Sequence, residues 1–201
     1  MIEEFTVFLL ALAKSVISLF IIVDPLGNIP IFISLTEGIR EPERRRIFHT
    51  ATVTGLILLL AFAIAGSEIL NIFGVGLSSF MIAGGILLLI IAIRILVVGW
   101  EEHKLSPESM GAVPIAVPLL VGPGAITTTI LSLQEHGMLV AVSSVIIVFT
   151  LTWLILRYIG LLYKILGRSG SAIIARVMAL LIASIAIQYI LNGFKAFSLI
   201  G

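Results

Sequence analysis

Six long runs of apolar side chains restrict this chain more than any other feature it has. They lie near residues 15–36, 48–70, 75–98, 112–134, 138–160 and 172–195, with residues 1–13 as a hydrophobic extension of the first. About 20 apolar residues in a helix cross a bilayer, and none of these runs shows the period-2 alternation of a membrane barrel. The expected architecture is an all-α membrane protein of six transmembrane helices. A water-exposed surface is excluded by composition, since 60% of the 201 residues are hydrophobic and 11% charged, with a mean hydropathy of +1.24. The net charge of +1 gives no electrostatic case for nucleic acid. Cysteine is absent, which removes disulfides, thiolate catalysis and cysteine metal sites. The start, MIEEF, carries acids where a signal peptide has bases, and reads as retained.

Ten of the twelve Lys and Arg residues fall in or beside the first, third and fifth connectors: Arg40, Arg44, Arg45, Arg46, Arg94, Lys104, Arg157, Lys164, Arg168 and Arg176. The positive-inside rule places those connectors in the cytoplasm and both termini outside the plasma (inner) membrane. Connector one, TEGIREPERRRI, reads as a solvated turn with Pro42 and acids at a helix start. Trp100 and Tyr163 suit the interfacial aromatic belt, where Arg94 and Arg157 can snorkel.

The first run interrupts itself. VDPLGNIP at 23–30 holds the chain's one aspartate with two prolines, a glycine and an asparagine. At a shift of 98 residues, VDPLGNIPIFISLTE (23–37) lies over VGPGAITTTILSLQE (121–135), matching Val23/Val121, Pro25/Pro123, Ser34/Ser132, Leu35/Leu133 and Glu37/Glu135. Short matches arise by chance in hydrophobic sequence, but here the matched stretch is the Gly/Pro-broken one in each half. With three spans per half, the repeat is inverted in topology: residues 1–98 form the first three-helix repeat and 99–201 the second, within one membrane domain. Bracketing the first span by Lys14 and Glu37, and the fourth by Met110 and Glu135, puts both interruptions near the midplane of a hydrocarbon layer of about 30 Å.

Proline removes a backbone donor and glycine weakens a helix, so both breaks should leave main-chain groups unpaired, which hydrocarbon tolerates only around a wet or protein-lined cavity. A single proline kink patched by Ser or Thr hydroxyls is common in membrane helices; two matched kinks, one with a carboxylate and an asparagine, favour a binding site. A half-helix starting after a break offers N–H groups and a positive dipole end to a carboxylate, and one ending before it offers carbonyls to an ammonium or a cation. Together they suit a zwitterion. The substrate-binding candidates are Asp24, Pro25, Gly27, Asn28, Gly122, Pro123, Gly124, Thr127 and Thr128, with Thr129 at the same level. Asp24 could pair an ammonium, carry a coupling proton or help hold a cation. Threonine in a membrane helix more often bonds its own backbone.

Elsewhere the bland readings prevail. Gln188 with Asn192, and Thr50 with Thr54, sit four apart and suit interhelical hydrogen bonds. His49 has no second histidine at ligand spacing, so no metal is expected. Gly74, Gly76, Gly84 and Gly85 read as close-packing positions.

In length, span number and the two motifs FIIVDPLGNIPIFISLT and AVPLLVGPGAITTTI, the chain resembles the MarC family of six-span inner-membrane proteins, which includes small neutral amino acid transporters of archaea. The resemblance covers essentially the whole chain. It implies transport of small neutral amino acids such as glycine and alanine, coupled to an ion gradient with a proton or sodium ion as the candidate coupling ion, and suggests kinship with the lysine exporter superfamily. It does not imply drug efflux.

The expected function is therefore secondary transport by alternating access around the broken helices, with no enzymatic activity, no cofactor beyond a coupling ion, and membrane lipid and a small neutral amino acid as partners. The alternatives are a passive channel, an exporter of another small solute, a scaffold with structural kinks, and an intramembrane enzyme using Asp24. The last lacks a partner base or nucleophile on the broken helices. No glycine-rich phosphate loop suggests an ATP-driven pump. Oligomeric state, direction and exact substrate are not encoded in these patterns.

Overall fold

The computed structural model describes residues 2–36, 38–97 and 120–198. Every regular element among them is a helix: α1 (Ile2–Val23), α2 (Ile29–Leu35), α3 (Glu41–Ile72), α4 (Leu77–Val97), α5 (Pro123–His136), α6 (Met138–Arg157) and α7 (Ile159–Ser198). Gly167 sits inside α7 with non-helical backbone (φ 65°, ψ −178°), so residues 159–166 and 168–198 run as separate helices. Among the described residues, five stretches are long and apolar enough to cross a membrane: Glu4–Val23, Glu41–Gly66, Leu77–Val97, Met138–Arg157 and Ser169–Ala196.

The difference from six expected spans has two sources. α5 has 14 residues, about 21 Å at about 1.5 Å per residue, too short to span alone. The first part of the expected 112–134 span, with Trp100 and Lys104, lies outside the described residues. At the N-terminus, no Gly or Pro separates residues 2 and 23, so the expected extension and span fuse into one helix of 22 residues. The break at 24–28 follows that helix instead of bisecting a span, and span length alone does not fix its depth.

The helix ends follow local chemistry. α3 starts with Arg40 in extended backbone, Pro42 in the first turn and Glu41 and Glu43 against the positive dipole end. Glu41 then pairs with Arg44 and with Arg45 (3.0 Å) one turn on. A single residue, Gly137 at φ 83°, reverses the chain between α5 and α6, a conformation in which a side chain would be strained. Arg157, at the end of α6, lies over the Trp153 ring at 5.0 Å.

The bundle has two packed regions. The larger buries Leu19, Val23, Ile29, Phe32, Phe48, Leu120, Val121 and Phe149 between α1, α2, α3, α5 and α6, with the Phe32 and Phe48 rings edge-to-face at 6.0 Å. The smaller joins α4 to α7 through Leu88, Ala92, Ile182 and Ala186. Large apolar side chains cover the outside (Ile57, Ile90, Leu180 and Phe194 are all exposed), while Asp24, Asn28, Thr127, Thr128 and Ser132 are buried. Apolar outside and polar inside is the distribution of a chain dissolved in lipid: this is an integral, multi-pass membrane protein.

Of the four glycines expected to permit close packing, two do so. A Cβ at Gly85 would lie 2.7 Å from the Ala186 carbonyl oxygen, and one at Gly84 would strike the Thr127 hydroxyl. Gly74 and Gly76 meet nothing within 4 Å; they belong to the turn before α4, where Gly74 has φ 63°. Gly193, on α7, faces the Ser78 carbonyl at 2.8 Å from a would-be Cβ. Backbone cannot yield as a side-chain tip can, so Gly85→Val and Gly193→Leu should each cost about 1–3 kcal/mol and lower the melting midpoint of the detergent-solubilised protein by at least about 3 °C. Gly76→Ala, in open space, should melt with the wild type. Equal midpoints for all three variants would show that α4 and α7 are not in backbone contact.

Candidate functional site

The break after α1 is built by four residues acting together. Asp24 takes φ 46°, the one positive φ outside glycine among the described residues, and this turns the chain out of helical register. Its own N–H still donates to the Phe20 carbonyl at 2.9 Å. Pro25 has no N–H, so the Ile21 carbonyl loses the donor that a continuous helix would supply. The side chains then take over. Asp24 Oδ1 accepts the Gly27 N–H at 2.9 Å, and Asn28 Nδ2 donates to the Val23 carbonyl at 3.3 Å. Gly27 has no side chain for a steric reason: a Cβ there would overlap the Asp24 carboxylate. The helix resumes as Phe32 N–H reaches the Asn28 carbonyl at 3.0 Å.

The repair leaves a deficit on side chains that the sequence reading did not anticipate. Beside these bonds, two side-chain acceptors at the break are unpaired: Asp24 Oδ2 and Asn28 Oδ1 are buried with no hydrogen-bond partner. Asp24 is 2% exposed and Asn28 5%. The two residues are one turn apart, joined by the Asn28 N–H to Asp24 carbonyl bond of 3.1 Å. An unpaired buried acceptor costs about 1–3 kcal/mol, more when charged. Only a donor, a proton or a cation relieves both oxygens.

The second break precedes α5. Gly122 is in extended backbone (φ −84°, ψ 171°) with Pro123 in the first helical turn. The Gly122 carbonyl accepts both the Ala125 and Ile126 N–H groups (3.0 and 3.2 Å), so two amides expected to face a ligand are already committed. Gly124 lies so close to α4 that a Cβ would overlap Leu88. The threonine hydroxyls bond their own helix: Thr127 to the Pro123 carbonyl, Thr128 to that of Gly124 and Thr129 to that of Ala125, each at 2.8 Å. Thr128 alone also reaches outward, accepting the Tyr189 hydroxyl at 2.8 Å.

Packing brings the breaks together. α1 and α5 are in direct contact, and Val23, Leu120, Val121 and Ala125 share one buried cluster. Farther along, the Ser132 hydroxyl bonds that of Ser15 at 2.9 Å. Ser15 lies nine residues before Asp24, and Ser132 nine after Pro123. With α1 running toward its break and α5 away from its own, both interruptions sit about 13.5 Å from that link, at the same level. Ser15, Ser132, Gly84 and Tyr189 were not singled out from sequence in this role. The usable signals were a serine against the apolar run of α1 and a tyrosine beside Gln188 and Asn192, which themselves bond each other at 2.7 Å.

Among the described residues, no group of three or more His, Asp or Glu side chains could hold a metal ion. No solved structure matches the chain. The sequence profile of the MarC family integral membrane proteins matches residues 9–198. A UPF0056 membrane protein of Archaeoglobus fulgidus is 38% identical over 188 residues, 88% of each chain. The UPF0056 membrane protein MJ1677 of Methanocaldococcus jannaschii is 35% identical over 191 residues, 89% of this chain and 93% of its own. YhcE of Escherichia coli K12 is also 35% identical, over 199 residues, 90% of this chain and 91% of its own. With the profile spanning nearly the whole chain and such relatives in archaea and bacteria, this protein belongs to the MarC family of integral membrane proteins.

Proposed function

We propose that the protein is a secondary transporter of small neutral amino acids of the glycine and alanine type. In this reading it lies in the plasma membrane and works by alternating access around the two breaks. The observation that carries it is the pair of buried, unpartnered oxygens on Asp24 and Asn28, level with the break before α5. A substrate ammonium donates to those oxygens, and its carboxylate lies toward the positive end of α5. A proton or a sodium ion is the candidate coupling ion at the same carboxylate.

The helix layout supports a 3+3 inverted repeat. Shifting α3 by 98 residues lays it over α6 with residues 159–166, and shifting α4 lays it over the last part of α7. Lys14 and Glu135 mark the polar end of the α1–α5 pair. Taking Lys14 as the polar boundary of α1, in place of the whole Glu4–Val23 stretch, puts Asp24, ten residues on, about 15 Å deep, half of a hydrocarbon layer of about 30 Å and level with the midplane, where transporter sites lie. The basic connectors put both termini outside. Catalysis is not part of this reading, because the three threonine hydroxyls beside the break are engaged with their own helix and, among the described residues, Asp24 has no hydrogen-bonded base to work with.

Two variants test it. In proteoliposomes, Asp24→Asn should cut gradient-driven uptake of labelled alanine at least tenfold, and unchanged gradient-driven uptake would remove Asp24 from the mechanism. Gly27→Ala should do the same by displacing the carboxylate without altering its charge. Linear, unsaturable alanine flux in the wild type would instead indicate a channel.

A further inference from the structure

A cavity of about 240 Å³ opens at the far end of α5 from its break, between α1, α5 and the second half of α7. Lys14 and Ser15 line it from α1, Ser132 and Glu135 from α5, and Tyr189 and Asn192 from α7. It holds charges of both signs that do not neutralise each other. Lys14 has no ion-pair partner among the described residues, and the one ionic neighbour of Glu135 is the adjacent His136, at 3.8 Å. The Ser15–Ser132 bond fixes the two helices just beneath, so that Lys14 and Glu135 stand over one opening instead of closing on each other. His136, also lining the cavity, keeps a buried Nδ1 without a hydrogen-bond partner.

We infer that this cavity is a second binding site, distinct from the break, for a small zwitterion: Lys14 receives the carboxylate and Glu135 the ammonium. A simple anion or cation would meet one wall of like charge, whereas a molecule with both charges meets two opposite ones. The size fits a small solute, lying below the roughly 300–1,000 Å³ of pockets for drug-sized ligands. Its floor is Thr128 with the Tyr189 hydroxyl, and Thr128 bonds the Gly124 carbonyl one turn lower, so the cavity ends where the second break begins. At the opposite end, among the described residues, Ile29, Phe32, Leu35 and Phe48 are buried together around α2. The cavity is thus a loading station reached from one side of the bundle. That role rests on the transport reading; the binding itself does not.

The test is calorimetric titration of the full-length protein in detergent, using Asp24→Asn to silence the break. The probes are L-alanine, propionate (anion only) and ethylamine (cation only). The expected result is one equivalent of alanine bound at least tenfold more tightly than either singly charged probe. Adding Lys14→Gln or Glu135→Gln should weaken alanine at least tenfold, and Lys14→Arg should retain it. Both positions are exposed on the bundle, and matched melting midpoints check that the variants fold. Absence of alanine binding in Asp24→Asn protein, or equal alanine affinity with and without the Lys14 and Glu135 changes, overturns the inference. So does preference for glycerophosphoethanolamine over alanine, which would assign the charge pair to a lipid headgroup. Cavity binding without alanine flux in wild-type proteoliposomes would sink the transport reading and leave this site standing; flux without cavity binding would do the reverse.

Discussion

The structure depends on one constraint: inside hydrocarbon, a main-chain N–H or C=O must find its partner within the protein. Pro25 violates it by removing a donor, and the segment around it is shaped by the repair. Asp24 and Asn28 lend a carboxylate oxygen and an amide nitrogen to the interrupted backbone. Each has a second polar atom that the repair does not use. The repair leaves two buried side-chain oxygens unpaired, where an incoming donor can relieve them. The residues that repair the break are the ones that carry its unpaired oxygens.

Much of this was legible in the sequence because it depends on residue types with few conformational options. Asp-Pro, Gly-Pro-Gly and the apolar run lengths specify helices and interruptions almost without reference to the rest of the chain. The threonines behaved as threonines in membrane helices do, bonding their own carbonyls. What the pattern did not disclose was tertiary. Whether α1 stops at Lys14 or runs on to Ile2 depends on no breaker being present, and apolar residues beyond the expected span carry no marker of where lipid ends. Gly74 and Gly76 look like Gly84 and Gly85 in one dimension, yet only the latter pair meets a neighbouring helix. Tyr189 gains its significance solely from the position of Thr128.

The two packed regions divide the labour. The larger surrounds the breaks with bulky side chains such as Phe32, Phe48 and Phe149, which fill space and hold the turn of Asp24 in a conformation that an aspartate seldom adopts. The smaller, between α4 and α7, relies on glycine and alanine, so the backbones approach closely in the manner of lipid-embedded helices. Gly84 and Gly124 join the two, giving α4 and α5 a close approach at the level of the second break.

The self-bonded hydroxyls of α5 have a mechanical consequence. Thr127, Thr128 and Thr129 satisfy their donors within their own helix, so none of these three hydroxyls of α5 donates to a neighbouring helix. Its named polar attachments, Ser132 to Ser15 and Tyr189 to Thr128, are neutral pairs, each of a kind worth about 1 kcal/mol. The position of α5 then rests more on its close packing against Gly84 and Leu88 of α4 than on hydroxyl bonds to its neighbours.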